Sequence, residues 1–223
     1  MREKNELRQR VSPALVSLAD RRSTRRALLG AGVKLGLGGA AIAVISGSPA
    51  LRQFAMAQTM DFKNDVDVLN YALTLEHLEY AFYRDGVGKF QFGNDPFGNP
   101  IVTYLEAIRD HEGAHVETLT KVITDLGGKP VKEATYDFGY TDAQSFLKVA
   151  AALENTGVMA YDGAGKFIEN PDLLTAAGGI VAVEARHAAY LNLLTGEIPF
   201  PAGFEQAKSK DEILKIAGQF IKS

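Results

Sequence analysis

Cysteine is absent from the 223 residues, which excludes a disulfide framework, a thiol nucleophile and any thiolate-ligated zinc or iron–sulfur site. Alternation of apolar and polar residues with period two never persists, so a sheet is not expected. The main apolar run, through Leu35 to Ile45, is interrupted by Lys34 and by glycines. It falls short of the roughly 18–20 residues that a membrane span needs. Positive charge is scarce beyond residue 57. Residues 1–57 hold ten of the 24 Lys and Arg and three of the 27 Asp and Glu, a net of +7, and the remaining 166 residues carry −10. A body this acidic is a poor match to a phosphate backbone, which argues against a nucleic-acid partner. Apolar residues make up 46% and charged residues 23%, enough for a packed core in one domain plus an extension.

The extension is residues 1–57. The basic stretch Arg21-Arg22-Ser23-Thr24-Arg25-Arg26 precedes the Gly/Ala-rich run, and Ala55-Met56-Ala57 has the small-x-small pattern of a cleavage site. Ser23-Thr24-Arg25-Arg26-Ala27-Leu28-Leu29 resembles the core of a twin-arginine (Tat) signal. The resemblance implies that residues 1–57 engage the Tat translocon and are cleaved near Ala57, with a retained anchor as the alternative. Residues 58–223 would then lie across the bacterial inner membrane, in the periplasm or cell envelope. Tat carriers move folded proteins, often with a cofactor already loaded.

Beyond residue 57 the apolar spacing is helical. A first helix is expected over 65–84, and 85–99, rich in Gly, Asn and Asp, reads as a connection. Asn99-Pro100 looks like a cap with proline at the first helical position, opening a second helix that stops at Gly127-Gly128. Thr141 with Gln144 has the pattern of a capping box for a third helix to about 169. Asn170-Pro171 opens a fourth, ending at Gly196, and Ser209 with Glu212 opens a short fifth. The expected fold is all-α: a four-helix bundle with a long crossover between the second and third helices and a short C-terminal fifth helix. A helix of that length spans about 40 Å. The thirteen or so residues of the crossover, extended, reach about as far.

The chain has four histidines, His77, His111, His115 and His187. Two form Glu-x-x-His, Glu112 with His115 and Glu184 with His187, and residues three apart on a helix share a face. With 14 Glu and four His, chance supplies only about 0.25 such pairs. The first helix offers Glu76 and Glu79. The third offers Glu154 in an apolar stretch. One Glu from each of two helices plus Glu-x-x-His from each of the other two is the ligand set of a carboxylate-bridged di-metal centre. Four facing carboxylates contribute −4, which two divalent ions balance. Without metal they would repel one another. His77 and His111 neighbour these glutamates but point about 100° away, and are expected at the surface or between helices.

Residues 62–196, with these six positions in helical order, resemble the ferritin-like superfamily of di-iron and di-manganese proteins. The exported, desiccation-related branch is the most similar. The resemblance implies two Fe or two Mn ions per chain. Glu112 and Glu184 would bridge them, His115 and His187 would cap one ion each, and Glu76 and Glu154 would be terminal ligands. In ferritins a tyrosine near the metals follows the ligand glutamate by seven residues. Glu76 with Tyr83 fits that spacing, which favours Glu76 over Glu79 and makes Tyr83 the candidate catalytic residue. Glu79 is left as a group behind the ligands or a surface ion-pair partner. Tyr83, Tyr161 and Tyr190 are either core aromatics or donors to ligands, and a donor could also pass an electron to an oxidised pair. Gly178-Gly179 inside the fourth helix would allow close packing or a channel.

Oxygen and imidazole ligands suit Fe(II) or Mn(II). The implied function is redox chemistry on O2 or peroxide, ferroxidase- or peroxidase-like, in envelope stress protection. The alternative is a non-catalytic, metal-stabilised stress or desiccation protein. Manganese catalases typically lack a Glu at the position of Glu184, and export sits badly with a cytosolic iron store. The Phe/Tyr-rich 90–104 segment suggests a homodimer.

Overall fold

The computed structural model describes residues 62–222. The Tat-like segment and its cleavage point lie outside them. The described chain folds as α1 (Asp65–Gly86), α2 (Ile101–Asp125), α3 (Ala143–Ala164), α4 (Pro171–Thr195) and α5 (Lys210–Ala217), with a 3-10 turn after α1 and after α3. No strand occurs among the described residues, only two isolated bridges. None of these helices is long and apolar enough to cross a membrane.

The helix starts follow from local donors and acceptors. Asn64 caps α1 by accepting from the Asp67 amide, and Asp65 and Asp67 place negative charge at the positive helix end. Asp65 also accepts from the amides of Glu169 and Asn170, at 2.7 and 3.1 Å, which ties the α3–α4 connection to the start of α1. Asn170-Pro171 and Ser209–Glu212 cap α4 and α5 as the sequence predicts.

Two starts differ. The α3 capping box is Asp142 with Ser145, not Thr141 with Gln144. The Asp142 carboxylate accepts from the Ser145 amide at 2.7 Å, and Ser145 Oγ accepts from the Thr141 and Asp142 amides, so Thr141 lies just outside the helix. At α2 the cap is Pro100 itself. Asn99 is committed to the preceding loop, where its amide donates to Asp95 Oδ1 and its carbonyl accepts from the Asp95 amide. The third helix also ends sooner than 169, at Ala164, before its 3-10 turn.

α1 pairs with α2 and α3 with α4 as hairpins, joined chiefly through α1 and α3, while α5 packs on α3. The crossover runs along α1. The Val131 amide donates a hydrogen bond to Asn70 Oδ1, and its carbonyl meets His77 Nε2 at 3.2 Å. Farther up, Glu133 pairs with Arg84 at 3.0 Å. From Asn70 to Arg84 is about 21 Å of helix, so α3 begins beside the C-terminal end of α1 and runs antiparallel to it. At that end Phe82 stacks on Phe146, with ring centroids 4.4 Å apart, amid Phe90, Phe138 and Tyr140. Burying Phe82 and Phe146 fully contributes about 1.5–3 kcal/mol each. A smaller aliphatic cluster, including Leu69, Leu73, Leu119 and Ile123, fills part of the opposite end. The ligand candidates lie between the two.

Candidate metal centre

Glu76 on α1, Glu112 and His115 on α2, Glu154 on α3, and Glu184 and His187 on α4 meet in the middle of the bundle. Helical backbone satisfies its own polar groups there, so the side chains are free to converge. All four glutamates are fully buried, and the two histidines nearly so. They form two groups: Glu76, Glu112, His115 and Glu184, and Glu112, Glu154, Glu184 and His187. Glu112 and Glu184 belong to both. Within each group the offered ligand atoms lie within 4.8 Å of one another.

The local geometry is that of ligands around a cation. His115 Nδ1 lies 3.2 Å from Glu76 Oε2, 3.2 Å from Glu112 Oε2 and 3.0 Å from Glu184 Oε1. One ring nitrogen has at most one proton to share among three carboxylate oxygens. Ligand atoms about 2.1 Å from an octahedral ion are themselves about 3 Å apart. His187 Nδ1 repeats the pattern, 3.0 Å from Glu112 Oε1 and 3.1 Å from Glu154 Oε2. Glu112 Oε1 and both oxygens of Glu184 are buried without a hydrogen bond. Unsatisfied carboxylate oxygens in a core are costly, and a cation is the partner that this donor set fits.

Electrostatics agree. Burial, then repulsion from Glu184, pushes the Glu112 carboxyl up to about 8. Burial and the neighbouring carboxylates likewise raise Glu154, and hold Glu184 well above the usual range. Burial acts to lower the histidines, but their carboxylate partners outweigh it. His115 is raised to about 12 and His187 to about 10. In the metal-free state the cluster retains protons to limit its own repulsion.

The tyrosines pair across the bundle. Tyr83 donates to Glu154 at 2.6 Å, and Tyr161 donates to Glu76. Each follows a ligand candidate on its own helix by seven residues, two turns and about 10 Å away. Because α1 and α3 are antiparallel, each lies level with the glutamate of the other helix. Tyr83 thus serves Glu154 and not the Glu76 whose spacing drew attention to it. Tyr190 is outside this arrangement, with its hydroxyl 3.5 Å from Asp95.

Glu79 is no surface residue: it is 3% exposed and stands outside both groups. Gly157 makes room for it, since a Cβ there would meet Glu79 Oε1 at 2.8 Å. Burial, then Glu184, raises its carboxyl well above the usual range. His77 lies between helix and crossover as described. His111 sits at the surface, yet its Nδ1 is 2.9 Å from His187 Nε2 and the two rings stack 9° from parallel. Its position next to Glu112 does not reveal this contact, which depends on how closely α2 approaches α4.

Residues 64–197 match the family described as the ferritin-like domain. The chain belongs to that family. Among solved structures, a protein from Bacillus anthracis str. Ames described as ferritin-like, diiron-carboxylate is 19% identical, with a TM-score of 0.50 over 58% of this chain and 94% of that one. The bacterioferritin-related protein of Bacteroides fragilis, described as a dodecameric thioferritin, is 24% identical, with a TM-score of 0.50 over 65% and 92%. Both are similar in fold. None of the curated proteins matches the chain.

Proposed function

We propose that this is an exported di-metal carboxylate protein that holds two iron or two manganese ions per chain and reacts with O2 or peroxide, ferroxidase- or peroxidase-like, in envelope stress protection. The observation that carries this reading is the pair of buried groups sharing Glu112 and Glu184, whose orphaned oxygens call for cations. Glu76 with His115 would hold one ion and Glu154 with His187 the other, with Glu112 and Glu184 common to both. When bound, two such ions cycling between divalent and trivalent states supply the two electrons that reduce O2 or peroxide. The Tyr83 and Tyr161 hydroxyls donate to Glu154 and Glu76, which supports a role in orienting the terminal carboxylates, and Tyr83 would be the electron donor. The aromatic and aliphatic clusters on either side keep bulk water from the carboxylates.

The Tat-like motif supports passage of residues 1–57 through the Tat translocon with cleavage near Ala57, and a desiccation-related role fits that location. Phe97 and Tyr104, 76% and 40% exposed, support a homodimer through the 90–104 segment. To test the function, the full chain is loaded anaerobically with iron(II) and mixed with O2 or peroxide in a stopped-flow spectrometer. Rapid oxidation to iron(III), abolished by Glu112→Ala, is expected. A protein that takes up two ions and leaves both oxidants unconsumed contradicts the redox reading and favours a metal-stabilised structural role.

A further inference from the structure

A cavity of about 40 Å³ lies one layer from the ligands, between the N-terminal half of α1, the C-terminal parts of α2 and α3, and the start of α4. Its lining contains no charged side chain. Ala72, Leu119 and Ile180 line it, and each stands four residues from Glu76, His115 or Glu184. The cavity is therefore one helical turn, about 5.4 Å along the axis, from the Glu76–His115 group. Tyr161 also lines it, with its hydroxyl engaged by Glu76. At the other end of the lining Thr118 and Ala176 are exposed, so the space opens between α2 and α4.

The cavity has a cause in the sequence. The two halves of the bundle repeat one scheme: a glutamate, a tyrosine seven residues on, then Glu-x-x-His. In the first half Phe82 precedes Tyr83, and its ring fills the space beside Phe146. In the second half Ala160 precedes Tyr161, so the equivalent ring is missing and Ala160 lines the void. The counterparts of Ala72, Leu119 and Ile180 at the filled end are Ala150, Leu191 and Ile108, all buried. The Glu76–His115 group thus has an open apolar space behind it where the other group has the Phe82 ring.

Such a space is large enough for a diatomic molecule. Of its lining hydroxyls, Tyr161 is engaged by Glu76 and Thr118 lies at the exposed rim. A water inside would have at most the unpaired hydroxyl of Tyr71, fewer than the two to four polar partners that it needs. Peroxide, with two hydroxyls to desolvate, is disfavoured on the same ground. We propose that the cavity is a binding site for dioxygen that admits it between α2 and α4 and delivers it to the Glu76–His115 side of the centre. The delivery step rests on the redox reading above. The gas site does not.

The test uses dissolved O2 as a paramagnetic probe of methyl resonances in the metal-free full chain. Methyl groups of Leu75 and Leu119 should show relaxation enhanced severalfold over those of Leu105 and Leu153, which are as deeply buried but do not line the cavity. Ala160→Val, which adds two methyl groups to the wall, should remove the excess, and Ile180→Ala should increase it at Leu75 and Leu119. Uniform enhancement across the core, or an excess that neither substitution changes, would overturn the proposal. In the iron-loaded chain Ala160→Val should slow oxidation by O2 severalfold and leave the rate with peroxide within twofold. Equal slowing with both oxidants would overturn the delivery route. O2 concentrated in the cavity of a chain whose iron ignores O2 would instead support the gas site and contradict the redox reading.

Discussion

His187 presents its two ring nitrogens to different partners, Nδ1 to the carboxylates and Nε2 to His111. For Nδ1 to offer a lone pair to an ion, Nε2 must carry the proton and donate it to His111 Nδ1. That bond fixes both tautomers and the ring orientation. His111→Ala is expected to weaken metal binding by about 10- to 100-fold while leaving the melting temperature of the metal-free chain within a few degrees. Competition against a chelator of known affinity measures the first, and calorimetry the second. Residues of this kind are hard to read from sequence. The six-residue scheme was legible because Glu-x-x-His occurs twice, on α2 and α4, with glutamates on the other two long helices, α1 and α3. The burial of Glu79 and the contact of His111 depend on helix rotation and approach, and local spacing does not report these.

Among the elements, the order of the helices and the stops of the second and fourth were legible because they arise from local chemistry, whereas the third ends at Ala164, sooner than its apolar spacing suggests. The α4 and α5 caps and the end-to-end crossover follow from single residues and chain reach. The α2 and α3 starts were misplaced by one residue, because tertiary and loop bonds at Asp95 and Ser145 chose among several eligible cap residues. The glycines were less legible. Gly178 and Gly179 lie in the middle of α4, where an added Cβ would meet open space, so they allow no close packing among the described residues. Gly178→Ala should stabilise the chain by about 0.5–1 kcal/mol through helix propensity. Gly163 is different: a Cβ there would collide with the backbone carbonyl of Lys208, whose amide donates to Met159. Gly163→Ala should cost about 1–3 kcal/mol by overpacking. Urea denaturation of the two variants should therefore shift the midpoint in opposite directions.

At the scale of the bundle, the described residues arrange two similar helical hairpins around a layer of charge. Five glutamates are buried there, Glu76, Glu79, Glu112, Glu154 and Glu184, one more than the four that balance two divalent ions. The raised Glu79 carboxyl keeps a proton and restores neutrality. Without metal, Glu112 is raised from 4.5 to about 8, and His115 and His187 from 6.5 to about 12 and 10. Groups raised on folding stabilise fully below their unfolded values, and that stability fades as pH climbs through the folded ones. The metal-free chain should lose stability steadily from about pH 4.5 upward. Metal binding displaces these protons and tightens with pH, so the gap in melting temperature between loaded and metal-free protein should widen between pH 5 and about pH 8. A gap that narrows would contradict this charge scheme. The most direct test of the central claim is the metal content of the chain recovered from its native envelope, measured by mass spectrometry alongside a Glu112→Ala, His115→Ala variant. About two iron or manganese ions per chain, lost in the variant, is the predicted result. A folded native protein that carries no metal would contradict it.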